Sequence, residues 1–193
     1  MKIPSKYLSE IFKRISEEDE SYKLSREIVL ANSSEGNVWL IGGFVYGTLA
    51  NFLYGTRRPA KDFDFIVENP NLEIVLPDSW TLCESRYKNP KFKSREMEID
   101  FVPLARCHAI VKRNLPVTFD NYMKGNPLNI HSIAYNIKSE QVIGEVGISA
   151  LEEKVVRVND MEMAEDLARF YNTSINQIIR KKARELGFRA EFV

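Results

Sequence analysis

Two short stretches carry acids at a spacing that can do chemistry. In "KDFDFIV" the carboxylates Asp62 and Asp64 alternate with phenylalanine, and in "REMEIDFV" Glu96, Glu98 and Asp100 repeat the alternation. Successive side chains on a strand face opposite ways. Asp62 and Asp64 then share a face opposite Phe63, Phe65 and Val67, while Glu96, Glu98 and Asp100 oppose Met97, Ile99 and Phe101. Two such strands side by side would aim their acids at a common point. Three carboxylates about 4 Å apart repel by about 4 kcal/mol per pair at an effective dielectric of about 20. A divalent cation relieves that repulsion, and oxygen-only donors favour Mg²⁺ or Mn²⁺ over zinc. The plainer alternative is that these are solvated faces of an edge sheet.

A second feature lies upstream. "NVWLIGG" is an apolar strand that ends on Gly42 and Gly43, and "FVYGTLANFLYG" after it reads as a helix with Val45, Leu49, Phe52 and Leu53 on its apolar stripe. Paired glycines after a strand allow a tight turn or a close ligand approach. The helix start would point free N–H groups and the positive dipole end at an anion. Phosphate at that helix start and metal at the aspartates would lie side by side, the arrangement a nucleoside triphosphate needs.

The remaining elements form the frame. Helical spacing predicts a helix over 5–17, with Leu8, Ile11, Phe12 and Ile15 inward, and a second helix over about 21–32. Further strands are expected at "WTLCES", at "REMEIDFV" after a basic turn "RYKNPKFKSR", and at "QVIGEV". "NIHSIAYNI" reads as either helix or strand, and "ISALEEKVV" as a short helix. Residues 160–187 read as two helices broken and capped at Asn172-Thr173-Ser174.

Bulk properties bound the function. The 193 residues suit one core or one domain with a small appendage. Basic and acidic residues cancel at 27 each, so any nucleic-acid footprint must be local. Cys83 and Cys107 lack motif spacing and fit free thiols in a reducing compartment. No apolar run reaches membrane-spanning length and no signal peptide is evident. The expectation is a cytoplasmic protein without a membrane partner. His108 and His131 lack metal-ligand spacing with cysteine; a structural role is expected for His108, and His131 is unassigned.

The stretch "GGFVYGTLANFLYGTRRPAKDFDFIV" resembles the first signature of class II nucleotidyltransferases, the group of bacterial poly(A) polymerases and CCA-adding enzymes. "NIHSIAYNIKSEQVIGEVGISALEEKVVRVND" is similar to the stretch closing their catalytic head, and "AEDLARF" resembles their neck motif, matching Glu165, Asp166 and Arg169. The resemblance covers residues 37–171. It implies an α+β nucleotidyltransferase fold: a mixed sheet backed by helices with a short C-terminal helical extension, divided as a head over 1–158 and neck-like helices over 159–193. It further implies attack of a hydroxyl on the α-phosphate of ATP or CTP, with an RNA 3′ end as acceptor. Asp62 and Asp64 would bind two Mg²⁺ or Mn²⁺ ions, and Asp100, with Glu98 as the alternative, would be the third acid. Gly42 and Gly43 would approach the triphosphate, and Asp166 and Arg169 would read the base.

The chain also departs from that pattern. Tyr46-Gly47 stands where the relatives carry Arg-Asp, Gly125-Asn126-Pro127 where they carry Arg-Arg-Asp, and His131 at their common Asn. Arg57, Arg58 and Lys61 would then supply phosphate charge, unless they are a solvated basic loop. Asp166 and Arg169 can equally be a surface pair at i, i+3. The basic face of Arg180, Lys181, Lys182 and Arg184 would touch RNA phosphate or stay solvated. Acceptor binding is expected to need a partner protein or a second copy of the chain. The other readings are transfer to a small-molecule or protein hydroxyl, and a nucleotide-binding module without catalysis.

Overall fold

A computed structural model describes residues 2–56, 62–85 and 87–193. Among them, helices α1 (Ser5–Glu17) and α2 (Glu20–Ala31) precede strand β1 (Val38–Ile41), helix α3 (Gly42–Tyr54) and strand β2 (Asp62–Val67). Strands β3 (Thr81–Glu84), β4 (Pro90–Lys93) and β5 (Glu98–Pro103) lead to short helices α4 (His108–Arg113) and α5 (Phe119–Lys124). Then come β6 (Ala134–Asn136), β7 (Gln141–Ile143), α6 (Glu145–Glu153), β8 (Val155–Val156), α7 (Met161–Phe170), α8 (Ile175–Leu186) and β9 (Arg189–Ala190). Seven strands form one mixed sheet in the order β3-β4-β5-β2-β1-β6-β7, so the fold is α+β as the sequence implied. No described helix is long and apolar enough to cross a membrane. Cys83 and Cys107 are both free thiols.

The alternation in β2 divides the sheet as expected. Phe63, Phe65 and Val67 enter the main core with Leu8 and Phe12 of α1 and with Val45 and Leu49 of α3. Ile66 faces the other way, into a smaller core with Trp39 and Ile110. Each buried phenylalanine contributes about 2–3 kcal/mol, and a slip by one residue would drive both aspartates into the main core. Hydrophobic patterning thus fixes which way the acids point. α1 also shields the outer edge of β7: Ser5 Oγ donates to the Val142 carbonyl at 2.6 Å, and Val142 N–H donates to Ser9 Oγ at 2.8 Å. Such pairing covers an edge that would otherwise seek another strand.

Several boundaries differ from expectation. The second acidic strand begins at Glu98, so Glu96 lies in the preceding turn. The basic "turn" contains β4, whose alternating Lys91-Phe92-Lys93 buries Phe92 and pairs antiparallel with β5. "NIHSIAYNI" splits into a 3₁₀ turn over Asn129–His131 and strand β6. Phe52 leaves the apolar stripe of α3; it is exposed beneath the Arg14 guanidinium. The break between the last helices is where the sequence placed it, and Ser174 with Gln177 closes a full capping box on α8.

Candidate active site

Three chain segments meet at one end of the sheet. β1 pairs antiparallel with β2, setting Ile41 opposite Asp64, and β2 pairs parallel with β5, setting Asp62 opposite Glu98 and Asp64 opposite Asp100. α3 starts at the residue after Ile41, so its first turn abuts Asp64. Gly42 has φ +74°, and a Cβ there would collide with Asp64 Oδ2. Only glycine satisfies both constraints. At Gly43 a Cβ would meet only the Tyr46 hydroxyl, at 3.7 Å. A side chain at the second position would fit without displacing anything.

The acids are not equivalent. Asp64 is pushed up to about 7, first by desolvation, then by the charges of Asp100 and Asp62. Glu98 goes the other way, to about 2, because Lys93 and then Lys91 hydrogen-bond it. Lys93 Nζ lies 2.7 Å from Glu98, and Lys91 Nζ lies 2.9 Å from Glu98 and 3.4 Å from Asp100. Glu98 is thus occupied by lysines, and the pair left with excess negative charge is Asp64–Asp100, with exposed Asp62 two residues along the same face. Among the described residues, no group of three His, Cys, Asp or Glu side chains is arranged to hold a metal ion. The donor chemistry nevertheless fits a hard divalent cation: carboxylate oxygens only, one of them raised to about 7 by burial and by its acidic neighbours.

Asp64 opens into a cleft of about 750 Å³, a volume within the range of small-molecule sites. Gly42, Gly43 and Tyr46 line one side, and Gln177, Lys181 and Lys182 of α8 line another. Tyr46, which replaces the arginine of the resembled pattern, stacks on His131 with ring centroids 5.9 Å apart. Lys182 Nζ lies 5.4 Å from the centre of the Tyr46 ring and 2.7 Å from Glu185. Desolvation pulls the Lys182 ammonium down, but Tyr46 and Glu185 outweigh it and hold it above the usual lysine range. The enclosed His131 imidazole falls to about 3, through desolvation and then the Lys182 charge, and stays neutral. A fixed cation from α8 therefore stands beside the start of α3. Sequence reasoning missed Lys91, and it set Lys182 on a basic face for RNA phosphate or solvent, whereas Lys182 lines the cleft beside Tyr46. The Lys-Phe-Lys alternation was a usable signal for Lys91; the basic run of α8 marked Lys182 but not its direction.

The remaining expected residues lie elsewhere. Arg57, Arg58 and Lys61 fall outside the described residues. Asp166 accepts from Lys112 Nζ at 2.5 Å, contacts His108 Nε2 at 3.0 Å and pairs with Arg169, whose side chain is 70% exposed. Lys112 first, then His108, holds the Asp166 carboxyl at about 2. One residue away, Arg113 clamps Asp160 at 2.6 Å and Glu162 at 2.7 Å. The cleft is lined from α7 by Leu167, not by Asp166 or Arg169.

No protein family and no curated protein matches the chain. Among solved structures, it is similar to a CCA-adding enzyme with CTP at TM-score 0.63 and 18% identity, over 93% of this chain and 43% of that one. It is similar to a CCA-adding enzyme with ATP at TM-score 0.55 and 22% identity, over 80% and 36% respectively. The third is the Thermotoga maritima CCA-adding enzyme complexed with tRNA, at TM-score 0.57 and 20% identity, over 90% and 40%. The chain spans about two fifths of the length of these structures. At such identities the likeness is one of fold alone: over the residues covered, the chain shares the fold of these CCA-adding enzyme structures.

Proposed function

We propose that this chain is a metal-dependent nucleotidyltransferase, transferring a nucleoside monophosphate from ATP or CTP to the 3′ hydroxyl of an RNA. The observation that carries the reading is Asp64: an acid held at about 7 between Asp100 and the glycine that opens α3, at the end of a cleft with a fixed lysine. Asp62, Asp64 and Asp100 would hold Mg²⁺ or Mn²⁺, which when bound supplies charge stabilisation at the phosphates. The triphosphate lies against the Gly42-Gly43 backbone and the dipole of α3, with Lys182 and Lys181 of the neck-like segment 159–193 supplying countercharge. The acceptor oxygen bonds to the α-phosphorus as the bond to the bridging oxygen of pyrophosphate breaks. Pyrophosphate leaves with that electron pair, and the hydroxyl proton passes to the Asp100 carboxylate.

Base reading by Asp166 and Arg169 would require the pair to leave Lys112 and His108. Incubation with labelled nucleoside triphosphates, Mg²⁺ and total RNA tests the reading. Label in RNA supports it, label in protein or small molecules moves the acceptor class, and no transfer overturns it.

A further inference from the structure

The "AEDLARF" segment has a second use. Asp166 fixes the ring of His108, which lies 5.2 Å from the ring of Tyr87 between centroids; Tyr87 lies 6.3 Å from Phe170, and Phe170 5.1 Å from Tyr171. Four rings from separate elements (the turn joining β3 to β4, the start of α4 and the end of α7) thus form one continuous ladder. Tyr87, Phe170 and Tyr171 are 42%, 48% and 57% exposed. Rings gathered from three elements and left half in water mark a contact surface. The ladder also has a direction, since Tyr87 and Tyr171 line the cleft that holds Asp64.

We infer that this ladder is the track for the unpaired end of a nucleic-acid strand, stacking about three bases and leading the terminal hydroxyl into the cleft. The occupant follows from the chemistry. Every base has a π-face, so a run of exposed rings accepts a strand whatever its sequence, whereas a duplex offers its bases only to one another. Among the described residues, the ion cluster behind the rings is internally paired through Lys112, Arg113 and Arg169. Stacking on the rings supplies the part of the affinity that does not depend on sequence. The assignment of a 3′ end rests on the proposed transfer activity; the binding of a strand does not.

Fluorescence anisotropy with a labelled single-stranded RNA of about ten nucleotides, without triphosphate or divalent metal, separates the two. The wild type should bind it, and Phe170→Ala or Tyr87→Ala should weaken binding roughly five- to a hundredfold. Phe170→Tyr should restore it. Strand binding that ignores the loss of either ring, equal affinity for duplex RNA, or no strand binding at all overturns the inference. Ring-dependent binding without nucleotidyl transfer would overturn the proposed activity and leave the track standing.

Discussion

The molecule holds two clusters of charge that look alike in sequence and behave as opposites in space. At the end of the sheet, Asp62, Asp64 and Asp100 stand together, and among the described residues Lys91 is shared between Asp100 and Glu98. Between α4 and α7, Asp160, Glu162 and Asp166 are matched by Lys112, Arg113 and Arg169. The first cluster lifts its central acid to about 7, and the second holds Asp166 at about 2. A cluster that satisfies itself fastens two helices. A cluster that cannot satisfy itself is costly in the free protein and has its remedy in a ligand.

The sharpest way to break that contrast is to neutralise each cluster in turn. Asp64→Asn should lower nucleotidyl transfer by on the order of a hundredfold or more, while the melting temperature of the free protein rises at neutral pH. Asp166→Asn should do the reverse, costing a few degrees, at about 2–4 °C per kcal/mol for a chain of this size, with transfer largely kept. Melting curves and a labelled-triphosphate assay on both variants decide it. A stabilised Asp166→Asn, or a fully active Asp64→Asn, would undo the distinction.

The two glycines sharpen the picture on the acidic side. Gly42→Ala meets both the positive φ and the Asp64 carboxylate, so it should destabilise the fold by about 1–3 kcal/mol. Gly43→Ala has room and should melt like the wild type. Its loss should show only in the thermal shift produced by triphosphate with Mg²⁺. Lys182→Ala should raise the KM for triphosphate by about tenfold, as expected for losing one charge-assisted contact, and Lys182→Arg should recover part of it.

The pH response is subtler, because two groups oppose each other. Folded Asp64 keeps its proton from about pH 4, where the unfolded chain releases it, to about 7, so stability falls as pH rises through that window. Folded His131 stays neutral down to about 3 while the unfolded chain protonates below about 6.5, so stability rises with pH over nearly the same window. The wild type should therefore show a nearly flat profile between pH 4 and 6.5. Asp64→Asn should expose the His131 slope, with melting temperature climbing as pH rises. A flat Asp64→Asn profile would show that His131 is not held neutral.

The smallest effect is expected at Arg169. As an exposed partner of Asp166, its replacement by alanine should change stability by about 0.5 kcal/mol or less and leave preference among the four triphosphates unchanged. A shift in that preference would instead assign base reading to the Asp166–Arg169 pair.

What the sequence determined by itself was local and periodic. Alternation in "KDFDFIV" and "EIDFV" specified strands with acids on one face, helical spacing specified α1, α2 and α3, and Gly42-Gly43 marked where strand becomes helix. Each of these follows from the geometry of a few consecutive residues, so no fold was needed to see it. The tertiary structure decided which acids stand alone and which are matched, because that depends on partners distant in sequence. Lys91 reaches Asp100 only because β4 pairs with β5, and Lys182 reaches Tyr46 only because the fold brings α8, far along the chain, beside the start of α3. Asp166 and Arg169 show the same dependence from the other side: their spacing suits both base reading and an ion pair, and their placement between His108, Lys112 and solvent comes from the packing of α7 on α4. Side-chain period is a property of the chain, whereas electrostatic balance is a property of the assembled neighbours.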